Sequence, residues 1–259
     1  MPAAANLYYS QSARGVEGRP SLVLIHGAGG SHLSWPADLR RLAGWDVLAI
    51  DLPGHGRSTG FSQQSIQHYA DQLVNFLAEV NIHQAILAGH SMGGAIAIQT
   101  ALDTPGLVAG LGLVSTGAFL GVQPALLETF SNPLAMPQAL EEFRRLAFSP
   151  ETPPGLVEQR MNILQQGRSN VLAGDWQACA AFDQRDQIER ITCPAWVAVG
   201  ADDHLTPLPY AHFLAAQLGN VKLTVIPHAG HMVIVEKPGE LVEGMREFLE
   251  SNFRVWSGG

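Results

Sequence analysis

Three residue types in this sequence can combine into nucleophilic catalysis: a serine set between glycines, aspartates late in the chain, and histidines later still. Ser91 lies in Gly89-His90-Ser91-Met92-Gly93, with Gly94 following. A serine hydroxyl is a weak nucleophile until an imidazole takes its proton, and the imidazole needs an acid to fix its tautomer. Asp202 and Asp203, then His228 and His231, are groups of the required kind. The bare glycine-serine pattern also arises by chance wherever a tight turn is needed, so its weight rests on the flanking residues.

Those flanks fit. Ala85-Ile86-Leu87-Ala88 is an apolar run that reads as a buried strand, and Gly94-Ala95-Ile96-Ala97 opens a helix of small residues. A serine at the tip of a strand-to-helix turn sits in a strained backbone with little room beside it. Gly89 and Gly93 remove side chains that would collide there, and Gly94 lets the helix approach the sheet. The hydroxyl is then presented at a helix N-terminus, which favours developing negative charge, and the Met92 N–H is placed to meet an oxyanion.

Composition narrows the partners. The chain has 259 residues, 46% of them apolar, enough for one large domain or a domain with an inserted subdomain. A formal net charge of −8 without a lysine- or arginine-rich run leaves no electrostatic footprint for nucleic acid or an anionic membrane. No apolar segment reaches spanning length, and Met1–Ala5 has neither a basic region nor a long apolar core, so a cytoplasmic location is expected. Cys179 and Cys193 are too few for a disulfide framework and lie in no metal-ligand spacing; both read as structural thiols, and no metal is expected. The loop His26-Gly27-Ala28-Gly29-Gly30 follows an aliphatic strand, Ser21–Ile25, but lacks the G-x-G-x-x-G pattern of a dinucleotide site, so no cofactor is expected either. Its backbone is the natural source of a second oxyanion N–H.

The remaining pattern supplies the elements that must hold these groups. Asn6–Ser10 reads as a short edge strand and Ala13–Pro20 as a turn; Trp45–Ile50, Leu107–Ser115, Ala195–Val199 and Lys222–Ile226 read as further strands. Helical spacing marks Gln67–Val80, Ala211–Leu218 and Glu240–Phe253. Strands alternating with helices predict an α/β fold with a mostly parallel twisted sheet flanked by helices. Between Gly117 and Ile191 roughly 75 residues intervene, far more than one crossover needs. Proline-punctuated helical segments such as Gln138–Ala147 and Leu156–Gln165 predict an inserted helical cap over 118–190, with a core domain of 1–117 and 191–259. Its apolar residues, among them Phe119, Leu127, Phe130, Met136 and Phe143, face a pocket or hold the cap together, and they favour small to medium uncharged acyl groups.

Every candidate group falls at the C-terminal end of a predicted strand, where open parallel sheets bind ligands. Taken in order, His26-Gly27, Asp51-x-x-Gly54-x-Gly56-x-Ser58, Gly89-His90-Ser91-Met92-Gly93-Gly94, Gly200-x-x-Asp203-x-x-x-Pro207 and Gly230-His231 resemble the cap-bearing esterase and lactonase branch of the α/β-hydrolase fold family. The resemblance implies Ser91 as nucleophile, His231 as base and then acid, and Asp203 as the group that orients it. It implies an oxyanion hole of the Met92 and Ala28 N–H groups, with Gly29 as the alternative to Ala28. His26 then stabilises its loop by bonding nearby backbone, His90 shapes the elbow, and His228 is left aside. The implied reaction is hydrolysis of a small-molecule carboxylic ester by a monomer or homodimer. Related dehalogenases and epoxide hydrolases use aspartate where this chain has Ser91. Carbon-carbon bond hydrolases carry Asn and Trp where His90 and Met232 stand. Lactone hydrolysis, carbon-carbon hydrolysis and a non-catalytic small-molecule receptor remain the alternatives.

Overall fold

The structure is a computed structural model that describes residues 3–12 and 18–254. Eight strands form one sheet: β1 (Ala3–Ala4), β2 (Leu7–Gln11), β3 (Ser21–Ile25), β4 (Val47–Ile50), β5 (Ala85–His90), β6 (Val108–Val114), β7 (Ala195–Gly200) and β8 (Val221–Ile226). Their spatial order is β1-β2-β4-β3-β5-β6-β7-β8. All neighbours from β4 to β8 pair in parallel, while β1, β2 and β4 pair antiparallel. The sheet is therefore the mostly parallel one that the sequence pattern predicts.

The inner strands are unbroken aliphatic runs because both their faces are covered. Successive side chains alternate between two cores: Val23 and Ile25 point into one, Leu22 and Leu24 into the other. The helices are α1 (Ala37–Arg40), α2 (Ile66–Glu79), α3 (Met92–Asp103), α4 (Pro124–Ser131), α5 (Met136–Ala147), α6 (Pro154–Gln165), α7 (Ser169–Ala180), α8 (Leu208–Gln217), α9 (Val233–Glu236) and α10 (Pro238–Asn252). The first core is closed by α2, α3 and α8; of the helical stripe expected on α2, Tyr69, Leu73, Phe76 and Leu77 are fully buried, and Val80, just past its end, packs against the core partly exposed. The second is closed by α10 through Leu241, Met245 and Phe248, and by parts of α4 to α7. Helix α2 starts one residue before the predicted Gln67, because the Ser65 hydroxyl caps it by accepting from the His68 N–H at 3.2 Å.

The N-terminal edge differs from expectation. Instead of a lone strand there is a hairpin, β1 turning into β2 through Ala5 and Asn6, whose φ values of 48° and 65° are those a two-residue hairpin turn demands. Of the predicted turn Ala13–Pro20, residues 13–17 lie outside the described residues.

Helices α4 to α7 all fall between β6 and β7. The two ends of this insert are tied together: the Gln184 N–H donates to the Ala118 carbonyl at 2.7 Å, and Phe119 bridges to Asp183. Inside it, Phe130 stacks on Trp176 with ring centroids 4.4 Å apart, and Phe143 meets the same indole edge-on at 6.3 Å. Phe130 is thus a packing residue. Phe119 lies elsewhere, against Tyr210 and the Arg185 guanidinium.

Trp196 on β7 is fully buried, with its indole N–H donating to Thr224 Oγ1 at 3.0 Å and Gly244 of α10 leaving room for the ring. Trp196→Ala is expected to lower unfolding free energy by about 3–5 kcal/mol. A urea midpoint within error of the parent's would contradict this packing.

Candidate active site

Ser91 joins β5 to α3 with φ 54° and ψ −119°, a backbone state that costs a non-glycine residue about 1–3 kcal/mol. Its neighbours hold it there. The Ser91 N–H donates to the Val114 carbonyl at 2.9 Å, and the Ser91 carbonyl accepts from the Gly94 N–H at 2.9 Å and from Thr116 Oγ1 at 2.8 Å. A Cβ on Gly89 would collide with the backbone of Gly93 and Gly94, and one on Gly93 with the carbonyl oxygens of Ile25 and His26. Gly94 clears the Thr116 side chain, so its role is to admit the loop after β6 rather than the sheet itself.

His231 follows β8, and its Nδ1 lies 3.0 Å from Asp203 Oδ2 and 3.2 Å from Oδ1, with both residues buried. Asp203 is fixed from the other side: Oδ1 accepts from the N–H groups of Leu205 (2.9 Å) and Thr206 (2.8 Å), and Oδ2 from the Thr206 hydroxyl at 2.8 Å. Burial alone would raise the Asp203 carboxyl. The charge and hydrogen bond of His231, then the bonds from Thr206, outweigh it and hold the group below the usual carboxylate range. Asp202 instead accepts from Ser149 Oγ at 2.6 Å, and exposed His228 has its Nδ1 2.6 Å from Glu151 Oε1. Of the two aspartates and two histidines, Asp203 and His231 are the pair that meet.

His90 is also buried, and its Nε2–H donates to the His231 carbonyl at 2.9 Å. Burial, and then the nearby His231 ring, lower its pKa to about 3, so the ring is neutral at ordinary pH. His26 holds its own loop: Nδ1–H donates to the Gly27 carbonyl at 2.8 Å, and Nε2 accepts from the Leu52 N–H at 3.0 Å. Burial and the charge of His55 keep it neutral. His26 therefore bonds nearby backbone as the resemblance implies, whereas the His90 side chain leaves the elbow and holds the loop of His231 instead.

Two further side chains carry no local sequence signal. Asp175, on α7, is fully buried and accepts from the Tyr69 hydroxyl (2.6 Å), from His55 Nε2 (2.7 Å) and from the Gly29 N–H (2.9 Å). His55 Nδ1 bonds the Pro53 carbonyl at 3.0 Å, so both ring nitrogens donate and the ring is cationic. Burial opposes that charge, but Asp175 outweighs it and raises the pKa. Thr206, which touches Asp203 and also sits 3.1 Å from His231 Nδ1, completes the set. The spacing from Gly200 to Pro207 frames Thr206, but nothing in that spacing assigns it a bond.

Ser91, His231 and Ala28 line one cavity of about 70 Å³. The insert supplies much of its wall, including Leu126, Phe143, Trp176 and Arg160. Phe143 is thus a pocket residue, and Cys179 also reaches the wall. Among the described residues no group of three or more His, Cys, Asp and Glu is placed to hold a metal ion, and no helix is long and apolar enough to cross a membrane.

A parallel α/β sheet with a strained serine elbow, a buried acid-histidine pair and a helical insert between β6 and β7 defines a class of hydrolase folds. Residues 22–244 match the alpha/beta hydrolase family, and the chain belongs to it. It is 28% identical to the pimeloyl-[acyl-carrier protein] methyl ester esterase of Proteus mirabilis, covering 91% of this chain and 94% of that one. It is 30% identical to the dihydrolipoyllysine-residue acetyltransferase component of the acetoin cleaving system of Pseudomonas putida, over 92% of this chain but only 65% of the relative. Among solved structures, a thermophilic esterase from Thermogutta terrifontis superposes with a TM-score of 0.86 at 23% identity, covering 96% of this chain and 94% of that one.

The neutral, buried His90 gives a pH prediction. Its folded pKa lies below the unfolded value of about 6.5, so the unfolded chain binds the extra proton and stability falls as pH drops through that window. Between pH 6.5 and 5 this group should cost about 1.6 kcal/mol. Urea unfolding of the parent and of His90→Gln across this range should show the parent losing more by about that amount; parallel pH curves would refute the assignment.

Proposed function

We propose that the chain hydrolyses carboxylic esters of short acids through an acyl-enzyme on Ser91. The observation that carries this reading is the Asp203–His231 pair opening onto the cavity that Ser91 lines, with the serine held on a strained elbow. Ser91 Oγ attacks the ester carbonyl carbon as His231 Nε2 takes its proton, while Asp203 holds the Nδ1–H and stabilises the imidazolium. The oxyanion is met by the Met92 and Ala28 N–H groups. The competing register is disfavoured because the Gly29 N–H is committed to Asp175. Collapse breaks the bond to the alcohol, which leaves with the proton from His231. Water then repeats the sequence on the acyl-enzyme and frees the acid. His90, by donating to the His231 carbonyl, holds the backbone that carries the catalytic ring without itself taking protons.

The cavity sets the size. At about 70 Å³ it is smaller than the roughly 150 Å³ void that can take up a benzene, which favours acyl groups of a few carbons.

A fluorophosphonate is expected to add one adduct by intact mass, mapping to the peptide that holds Ser91 and absent from Ser91→Ala. A chromogenic ester series should peak at short acyl chains and fall steeply beyond about six carbons; labelling that persists without Ser91, or a flat chain-length profile, would each count against the reading.

The two aspartates separate cleanly in turnover. Asp203→Asn can offer the imidazole a donor where an acceptor is required, a change that costs the best-studied serine protease about 10,000-fold. A fall of at least about 100-fold in kcat is expected here, against a few-fold at most for Asp202→Asn, measured on variants with matched melting curves.

A further inference from the structure

Arg160 reaches the cavity from α6, and the proposed hydrolysis gives it no task. Only 8% of its surface is exposed, its Nε is buried without a hydrogen-bond partner, and among the described residues no carboxylate pairs with it. The other insert arginines all have partners: Arg144 pairs with Glu158, Arg145 with Glu142 and Arg185 with Asp183 in exposed ion pairs, while Arg168 donates to the Gly54 carbonyl and Arg190 to the Gln187 side chain. Burial lowers the Arg160 pKa to about 10, which still leaves the guanidinium charged at neutral pH. Its charge is felt nearby, since it adds to the forces that keep His26 and His90 neutral.

An unpaired buried cation is expensive, typically several kcal/mol, and an apolar side chain in its place would pack beside Leu126, Phe143 and Trp176 at no such cost. No Asp or Glu lines the cavity, and the nearby Asp203 carboxylate is already engaged by His231 and Thr206, so nothing on the wall neutralises the guanidinium. A guanidinium presents a planar fork of N–H groups that matches the two oxygens of a carboxylate. A phosphate would bring a second charge and a third oxygen, with no lysine or second arginine on the wall to meet them.

We propose that Arg160 binds a carboxylate carried by the substrate, so that the ester cleaved at Ser91 is a half-ester of a short dicarboxylic acid or an ester of a short hydroxy acid. The substrate class expected from apolar cap residues alone is thereby changed from uncharged to anionic. This inference rests on the esterase reading above for its reaction, but its ligand contact can be measured without turnover.

Two pairs of esters of matched size test it: 4-nitrophenyl hemisuccinate against 4-nitrophenyl butyrate for a carboxylate on the acyl side, and butyryl glycolate against propyl butyrate for one on the alcohol side. In the parent, kcat/KM is expected to be at least about 10-fold higher for the anionic member of one pair. That selectivity ratio should fall about 100-fold in Arg160→Met and less in Arg160→Lys. No preference for the anionic member in either pair overturns the proposal, as does a ratio that Arg160→Met leaves unchanged. If Arg160→Met does not fold, the parent's ratios and the Arg160→Lys ratio decide. If the parent cleaves none of the four esters, calorimetric titration of glutarate into Ser91→Ala decides: binding that Arg160→Lys weakens keeps the carboxylate site while the esterase reading fails, and absence of binding ends both.

Discussion

The whole arrangement depends on one close approach, that of the β5–α3 turn to the strands and loops around it. Ser91 can hold an unfavourable backbone state because β3, β6 and the loop after β6 crowd it from three sides and satisfy its N–H and carbonyl. The same crowding explains the composition of α3. From Met92 to Leu102 every residue is buried, so the helix has no exposed polar face, unlike α2, and its polar residues Gln99 and Thr100 are hydrogen-bonded inside, Thr100 to the Ile96 carbonyl and Gln99 to Asp103 and Gln184. A helix wedged so tightly between sheet and neighbour cannot carry bulk at its first turn, hence Gly93-Gly94.

Around that turn, burial and pairing put three histidines into different states within a short span. His26 and His90 are stripped of water and bonded to backbone, so both stay neutral. His55, whose ring lies 4.8 Å from that of His26, is equally buried yet charged, because Asp175 faces it. Desolvation acts in the same sense on all three; at His55 it is opposed chiefly by Asp175, aided by the Pro53 carbonyl and Asp51, and this raises its pKa while the other two are lowered.

The parts of this protein readable from sequence are those encoded locally. Aliphatic runs marked the inner strands, glycines around the serine marked the elbow, and the resemblance of Gly200-x-x-Asp203-x-x-x-Pro207 to the family pattern singled out Asp203 from Asp202. Periodicity also found α2, α5, α6 and α10 to within a few residues. What it could not supply was partnership across distance. Asp175 and Arg160 sit on insert helices whose own sequences say only which face is apolar. Their meaning appears once folding sets one beside Gly29, His55 and Tyr69 and the other beside the cavity. The β1–β2 hairpin was missed for a related reason: Ala5 carries no turn signature, and Asn6 alone was not enough to announce a two-residue reversal.

Asp175 also bears on how freely such an insert could be exchanged. Its carboxylate belongs to the insert, yet two of its three bonds hold loops of the sheet domain, the Gly29 amide and the His55 ring, and the third holds α2. A chimera that grafted a differently shaped insert onto this sheet would leave a cationic imidazole, a phenol and a loop amide facing a void, and the glycine loop beside Ser91 would lose its anchor. An exchanged insert would therefore have to return a carboxylate to the same point in space, so the two pieces are tied into one hydrogen-bonded unit despite their separate-looking architecture.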